Sequence, residues 1–195
     1  MIKVGVTGGI GSGKTLVCRV FETLGTPVFY ADQQAKQLYD EDQELRNEMI
    51  HLFGPEIYGQ NGLNRALLAS KIFSDPQTLD RVNQLVHPRV RRKFNQWCQL
   101  HTDRPYLIEE AAVLPGSKNQ HGLDYLILVY APKEIRIQRV IERDQVSRAS
   151  VERRMAHQVE DEHRMARADF VVYNDGSRMV LPQIIHIHQQ LTDSA

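Results

Sequence analysis

Gly8-Gly9-Ile10-Gly11-Ser12-Gly13-Lys14-Thr15 fits the spacing G-x-x-x-x-G-K-[ST] at every fixed position. These residue types at this spacing make a cradle for phosphate. A glycine-rich turn can point its backbone N–H groups at a polyphosphate without Cβ clashes, and the helix that follows offers the positive end of its dipole to the same anion. Lys14 then reaches the β- and γ-phosphates, and the Thr15 hydroxyl gives Mg2+ one of the hard oxygen ligands it prefers. A glycine-rich turn with no ligand explains the glycines but leaves the Lys-Thr pair unexplained.

Such a loop needs a buried strand before it and an amphipathic helix after it. Ile2, Val4 and Val6 supply the strand, with Thr7 at its carboxyl end. Val17, Val20, Phe21 and Leu24 recur as one helical face, and Gly25 and Pro27 stop it. Val28-Phe29-Tyr30 reads as a second strand ending at Ala31-Asp32, followed by a helical stretch from Gln33 to Tyr39. In an α/β sheet the ligand sits beyond the carboxyl ends of the strands, which places Asp32 on the same edge as the loop. Asp32 is either a helix N-cap or a catalytic carboxylate, and the two roles can coexist.

From Asp40 to His101 the periodicity is helical, with no convincing strand. The apolar positions are Leu45, Met49, Leu52 and Phe53, then Leu67, Leu68 and Ile72, then Leu79, Val82 and Val86. Gly59-Gln60-Asn61-Gly62 makes a turn between helices, and Asp75-Pro76 begins another helix. An insertion of about sixty residues exceeds what a crossover needs, which points to a binding role. Its basic residues Arg65, Lys71, Arg81, Arg89, Arg91, Arg92 and Lys93 suit an anionic ligand or form a solvated helix face. His87-Pro88 interrupts the longest helical run, where proline is expected to kink or end the helix; the histidine there caps or binds.

Tyr106 to Glu110 is a strand with acids at its carboxyl end. Glu109 or Glu110 is placed to hold Mg2+ through water or is a solvated strand end. Tyr125 to Tyr130 is apolar throughout, the pattern of a strand covered on both faces. Pro132 opens a helix with Ile137, Val140 and Ile141 on its core face and Arg136, Arg139 and Arg143 along the other. A row of guanidinium groups suits a triphosphate, whose oxygens they bind in bidentate fashion. The charge-dense stretch from Ser147 to Arg167 reads as a helical lid, Phe170 to Tyr173 as the last strand, Asn174-Asp175-Gly176 as a loop, and Arg178 to Leu191 as a final helix.

The 195 residues are 42% hydrophobic and 25% charged, which fits one soluble α/β domain with an appendage. Acidic and basic residues number 24 each, so the chain as a whole has no attraction to nucleic acid or to a membrane surface. Cys18 and Cys98, without a C-x-x-C motif or a secretory leader, fit a cytoplasmic protein. No apolar run reaches the roughly 18 residues of a membrane span. The GTPase hallmarks D-x-x-G and N-K-x-D are missing, which excludes a regulatory GTPase.

Several features together resemble one family, dephospho-coenzyme A kinase, over nearly the whole chain. The family's phosphate loop reads T-G-G-I-G-S-G-K, as Thr7 to Lys14 do, and Asp32 and Lys36 match the aspartate and basic residue after its second strand. Arg65, Leu68, Phe73 and Asp75 followed by His87-Pro88 match its helical region. Arg139, Arg143-Asp144, Arg154, Gln158, Ala168-Asp169 and Asn174-Asp175-Gly176 match the remainder. Two places depart from its pattern. Tyr30-Ala31-Asp32 stands where the family commonly has Asp-Ala-Asp, and Glu110 to Gly116 lacks the family's final Phe-Glu.

The resemblance implies an α/β fold of the P-loop NTPase type, three-layered around a five-stranded parallel sheet. Residues 1–32 and 104–195 would form the nucleotide-binding core, 33–103 a helical acceptor-binding insertion and 145–168 a lid. It further implies that ATP phosphorylates the ribose 3′-hydroxyl of dephospho-coenzyme A, with Mg2+ as cofactor, in a monomer or weak homo-oligomer. The catalytic set would be Lys14, Asp32, Arg139 and Arg143. ATP would be held by Gly9, Gly11, Ser12, Gly13, Lys14, Thr15, Leu16, Arg143 and Asn174, and the acceptor by Asp32, Lys36, Arg65 and His87. Thr15 would hold the metal, with Glu110 assisting through water. Another P-loop metabolite kinase, or a nucleotide-binding module without chemistry, are the rival readings.

Overall fold

The computed structural model describes residues 1–60, 62–73, 75–112, 122–156, 158 and 161–195. Asn61 of the Gly59–Gly62 turn and residues 113–121 of the divergent loop lie outside the described residues. The phosphate loop joins β1 (Ile2–Thr7) to α1 (Lys14–Thr23), and β2 (Val28–Tyr30) follows. Next come α2 (Ala31–Glu41), α3 (Gln43–Phe53) and a 3-10 turn over Pro55–Ile57. A minimal hairpin of β3 (Tyr58–Gly59) and β4 (Gly62–Leu63) leads to α4 (Arg65–Phe73) and α5 (Pro76–Gln99). The remaining elements are β5 (Tyr106–Glu110), β6 (Tyr125–Tyr130), α6 (Lys133–Asp144), α7 (Arg148–Ala156), α8 (Asp161–Met165), β7 (Phe170–Tyr173) and α9 (Val180–Asp193). The chain divides into two compact units, Met1–Tyr30 with Leu100–Ala195, and Ala31–Gln99.

The first unit is built on a parallel sheet of order β2-β5-β1-β6-β7, the five strands expected from the sequence. Strand order reverses at β1, which has β5 on one side and β6 on the other. Crevices for ligands open at the carboxyl end of such a switch point, and here β1 runs directly into the phosphate loop. On one face Val4, Val6, Ile108, Ile127 and Val129 meet Val17 and Phe21 of α1 and Ile184, Ile187 and Leu191 of α9. Full burial of side chains this size stabilises by about 1.5–3 kcal/mol each. Leu107, Leu126 and Leu128 on the opposite face are buried too, which explains the unbroken apolar runs. Tyr106 enters the first face edge-on to Phe21, and its hydroxyl bonds His188 Nδ1 at 2.6 Å.

In the second unit α5 is the spine. Val82, Val86, Val90, Phe94 and Cys98 recur every fourth residue and are all buried, and α2, α3 and α4 pack against this helix. Asp42 caps α3 by accepting from the Leu45 N–H at 2.9 Å, and it also pairs with Arg89 of α5. Two expectations change here. The region contains a strand pair, β3 with β4, held in part by the Leu63 N–H on Asp40. The other change concerns Pro88, which neither ends nor interrupts α5. The carbonyl it releases belongs to Gln84, exposed one turn back on the same face, so water can satisfy it. Buried Val86 and Val90 hold the helix on either side, and the Arg89 guanidinium donates to the neighbouring Leu85 carbonyl at 2.8 Å.

Candidate active site

The loop between β1 and α1 folds on itself. The Ser12 N–H donates to the Gly9 carbonyl at 3.1 Å, and Lys14 Nζ donates to the Gly8 carbonyl at 2.9 Å. Gly13 precedes α1 with φ of 97°, a left-handed conformation that turns the chain into the helix and that glycine alone adopts without strain. Ser12 is 1% exposed, and its hydroxyl has no hydrogen-bond partner among the described residues. A buried hydroxyl without a partner, set in a glycine-rich loop, is chemically suited to donate to an anion's oxygen. Ile10 joins the loop to a small apolar cluster of Ile137, Val140 and Val151.

Two segments brace this loop. Asn174 follows β7, and its Nδ2 donates to the Ser12 carbonyl at 2.8 Å while its Oδ1 accepts from Arg139 at 3.4 Å. The Gln158 carboxamide accepts from the Ile10 N–H at 3.0 Å. Arg139 keeps a second guanidinium nitrogen, Nη1, buried and unpaired among the described residues. Asn174, Arg139 and the loop therefore form one connected group, whereas Arg143 stands apart. Its guanidinium is exposed and paired with Asp144, which raises the pKa of Arg143 and lowers that of Asp144. Arg154 pairs with the same carboxylate at 3.1 Å.

The three arginines of α6 do not share one open face, contrary to the spacing argument. Arg136 is buried, donating to the Ala131 carbonyl and to Asp161, while Arg143 faces solvent. A helix packed on one side presents residues three and seven apart at different depths, so charge at i, i+3 and i+7 does not by itself define a solvated stripe. The lid stretch is likewise two helices: α7 stops at Ala156 and α8 starts at Asp161.

At the carboxyl end of β5, Glu109 and Glu110 are each 7% exposed, so neither is a solvated strand end. Glu110 lies in register with Val6 of β1 and Tyr30 of β2. Tyr30 donates its hydroxyl to Glu22 of α1 at 3.0 Å. Thr15 is exposed at the head of α1, and its hydroxyl makes no hydrogen bond among the described residues. A hydroxyl and a carboxylate are hard oxygen donors that fit Mg2+, which keeps several waters and phosphate oxygens as its other ligands. Among the described residues no group of three or more His, Cys, Asp or Glu forms a metal cage.

The second unit carries the residues expected to hold an acceptor. Asp32 is the second residue of α2 rather than the residue before it, so it meets the positive end of the helix from inside the first turn. Asp32 and Lys36 are exposed one turn apart on α2, and Arg65 donates to the Lys36 carbonyl at 3.2 Å and to Asp40 at 3.3 Å. His87 is exposed on α5. Arg89, Arg92 and Lys93 are engaged with Asp42, Glu48 and Glu41, which gives these cations a structural task within the unit.

Sequence reasoning missed Asp161 and Arg164. Arg164 is 7% exposed beside the loop and paired with Asp161. Both sit in a charge-dense stretch where the pattern offers no means of telling a buried ion pair from solvated ones.

A parallel sheet that reverses order beside a glycine-rich loop, with Lys14 opening the following helix, defines the chain as a P-loop protein of the kinase type. A crystal structure of a Thermus thermophilus protein superposes with a TM-score of 0.81 at 31% identity, covering 99% of this chain and 97% of that one. The dephospho-CoA kinase from Campylobacter jejuni shares the fold, with a TM-score of 0.72 at 21% identity over 98% of each chain. A dephospho-CoA kinase of Bacteroides fragilis is 38% identical over 187 residues, 95% of this chain and 91% of its own length. The family model for dephospho-CoA kinase matches residues 2–179, and the chain belongs to that family.

Proposed function

We propose that this protein transfers the γ-phosphoryl group of ATP to the ribose 3′-hydroxyl of dephospho-coenzyme A, giving coenzyme A and ADP, the final step of coenzyme A synthesis. Membership of the family across residues 2–179, with the phosphate loop intact, carries the reading. Gly9, Gly11, Ser12, Gly13, Lys14, Thr15 and Leu16 hold the phosphates, the buried Ser12 hydroxyl taking one oxygen. Lys14 leaves the Gly8 carbonyl for the β- and γ-phosphates, a stronger, charge-assisted partner. Arg139, oriented by Asn174, and Arg143, released from Asp144, neutralise charge on the phosphoryl group as it moves. Asn174 also borders the adenine.

Asp32 orients the 3′-hydroxyl and accepts its proton, while Lys36, Arg65 and His87 hold the acceptor. Thr15, with Glu110 through water, holds Mg2+, which when bound offsets the negative charge of the phosphate oxygens. Both cysteines are buried thiols, which fits a reducing cytoplasm, and among the described residues no helix is long and apolar enough to cross a membrane. The balanced charge gives no overall attraction to nucleic acid, and the protein acts on small molecules as a monomer or weak homo-oligomer.

ADP release with Mg-ATP tests the reading, comparing dephospho-coenzyme A, adenosine monophosphate and buffer, with the product identified by mass. Phosphorylation of dephospho-coenzyme A alone is the expected outcome. Release with adenosine monophosphate instead would assign another acceptor, and ATP binding with no transfer to either would leave a non-catalytic module.

A further inference from the structure

Three charges stand beside the phosphate loop that its motif does not account for. Arg136 Nη2 meets Asp161 Oδ2 at 2.6 Å, and Arg164 Nη1 meets Asp161 Oδ1 at 3.1 Å. Both arginine side chains are only 8% exposed. They press on the loop at one residue. A Cβ at Gly9 would collide with Arg136 Nη1 and stand 3.2 Å from Arg164 Nη1. Among the described residues, Asp161 is the carboxylate paired with both. Among the described residues two buried cations thus share one anion, and a buried surplus charge is costly unless something compensates it. Burial above all, and the like charge of Arg136, lower the pKa of Arg164 while Asp161 opposes the shift. An anion on the loop removes the imbalance.

The position of the cluster identifies which part of the anion it meets. The backbone N–H groups at the helix end of the loop, Gly13 to Thr15, face the inner phosphates, and the Lys14 side chain reaches outward to the β- and γ-phosphates. Gly9 and Ile10 form the far end, where the Gln158 carboxamide already occupies the Ile10 N–H. We propose that Arg164 binds the terminal phosphate of the nucleoside triphosphate, with Asp161, itself fixed by Arg136, as the positioning residue that aims it at the Gly9 end of the loop. The inference rests on the reading of the loop as an ATP site. It gives the protein a means of preferring triphosphate to diphosphate that is separate from Lys14, Arg139 and Arg143.

Calorimetric titration of the full chain with Mg-ADP and with the Mg complex of a non-hydrolysable imido analogue of ATP tests this. Loss of one charge-assisted hydrogen bond in Arg164→Ala is expected to weaken the analogue roughly 10- to 100-fold while ADP binds at its wild-type affinity. Arg164→Lys, which keeps the charge, recovers part of the preference. Asp161→Asn, which keeps the guanidinium but loosens its aim, loses part of it. A merely structural role would weaken both nucleotides together, and that result, or an unchanged preference in Arg164→Ala, overturns the assignment. Should Arg164→Ala fail to fold, Arg164→Lys and Asp161→Asn read the same ratio, and wild-type preference in both overturns it equally. Wild-type protein that binds neither nucleotide overturns the ATP reading itself. Wild-type binding with unaltered variants overturns only the role of Arg164.

Discussion

The Asn174 carboxamide donates to the Ser12 carbonyl at 2.8 Å and accepts from Arg139 at 3.4 Å, so a single side chain sets both the curvature of the phosphate loop and the aim of an arginine. Asn174→Ala removes both bonds. A net worth of about 0.5–1.5 kcal/mol for each of the two hydrogen bonds predicts a rise in the KM for ATP of roughly 5- to 150-fold. Asn174→Asp is expected to be worse than alanine, because it keeps the acceptor for Arg139 but sets a second acceptor and a negative charge against the loop. Steady-state kinetics on the two variants gives the order. Equal KM values in both variants and wild type would show the contact to be idle.

Lys14 is bonded to the Gly8 carbonyl at 2.9 Å, a contact within the loop's own turn. Lys14→Ala is therefore expected to leave the fold intact while turnover falls about 10²- to 10³-fold, the usual loss when one group that stabilises transition-state charge is removed. Circular dichroism checks the first half and the ADP-release assay the second.

Asp32 is exposed in the first turn of α2, so its loss removes no buried contact. Asp32→Asn keeps the shape and removes the proton acceptor. Transfer is expected to fall about 10²- to 10⁴-fold with nucleotide affinity unchanged. Transfer at the wild-type rate would reduce Asp32 to a helix-end charge.

Much of the scaffold was legible in the sequence because local chemistry decides it. β2, β5, β6 and β7 fall where apolar β-prone runs stand, and the helices that lie between β1 and β2, β2 and β5, and β6 and β7 suit the parallel sheet observed. Pro88 was misleading, since the cost of a proline in a helix depends on whether the freed carbonyl faces water, which only packing decides. The depth of Glu109 and Glu110 was hidden for a related reason. Whether an acid at a strand end is solvated depends on which neighbours flank the strand, and β5 is internal to the sheet. The phosphate loop was fully legible, but its braces were not. Asn174 lies 162 residues from Ser12 and Gln158 lies 148 from Ile10, separations at which spacing carries no register. Arg136 and Arg164 look like any other surface arginines until Asp161 and Gly9 are placed beside them.

Gly13 separates backbone strain from steric clash. Its φ is 97°, and a Cβ there would collide with Asn174 Nδ2. Gly25 has a similar φ of 87° with nothing near the Cβ position. Both alanine variants incur left-handed strain of about 1–2 kcal/mol, and only Gly13→Ala adds a clash. At about 2–4 °C per kcal/mol for a chain of this size, Gly25→Ala is expected to lower Tm by roughly 2–8 °C. Gly13→Ala should lower it further and weaken ATP binding as well. Thermal denaturation with and without nucleotide separates the two, and equal Tm losses would mean that Asn174 moves aside freely.

Cys18 lies on α1 four residues past Lys14 and is fully buried. Burial, followed by the negative charges of Glu110 and Glu22, pushes its thiol well above the ordinary value of 9.0, and Lys14 only partly opposes them. The thiolate is the nucleophile, so a buried thiol held protonated is inert. Iodoacetamide at pH 8 is expected to leave Cys18 unlabelled in native protein and to label it in urea, as read by peptide mass. The same shift fixes a sign for stability. Below the unfolded thiol value near 9.0 both states keep the proton, and the contribution is constant. Above it the unfolded chain loses the proton while the native state retains it, so the native state binds more protons and stability falls as pH rises. Urea midpoints from pH 8 to 10 should therefore decline more steeply in wild type than in Cys18→Ala, where that proton is gone. Tyr106, whose pKa burial raises to about 12, adds the same slope to both proteins and cancels in the difference. Parallel slopes in the two proteins would place Cys18 in a better-solvated site than its packing against the sheet allows.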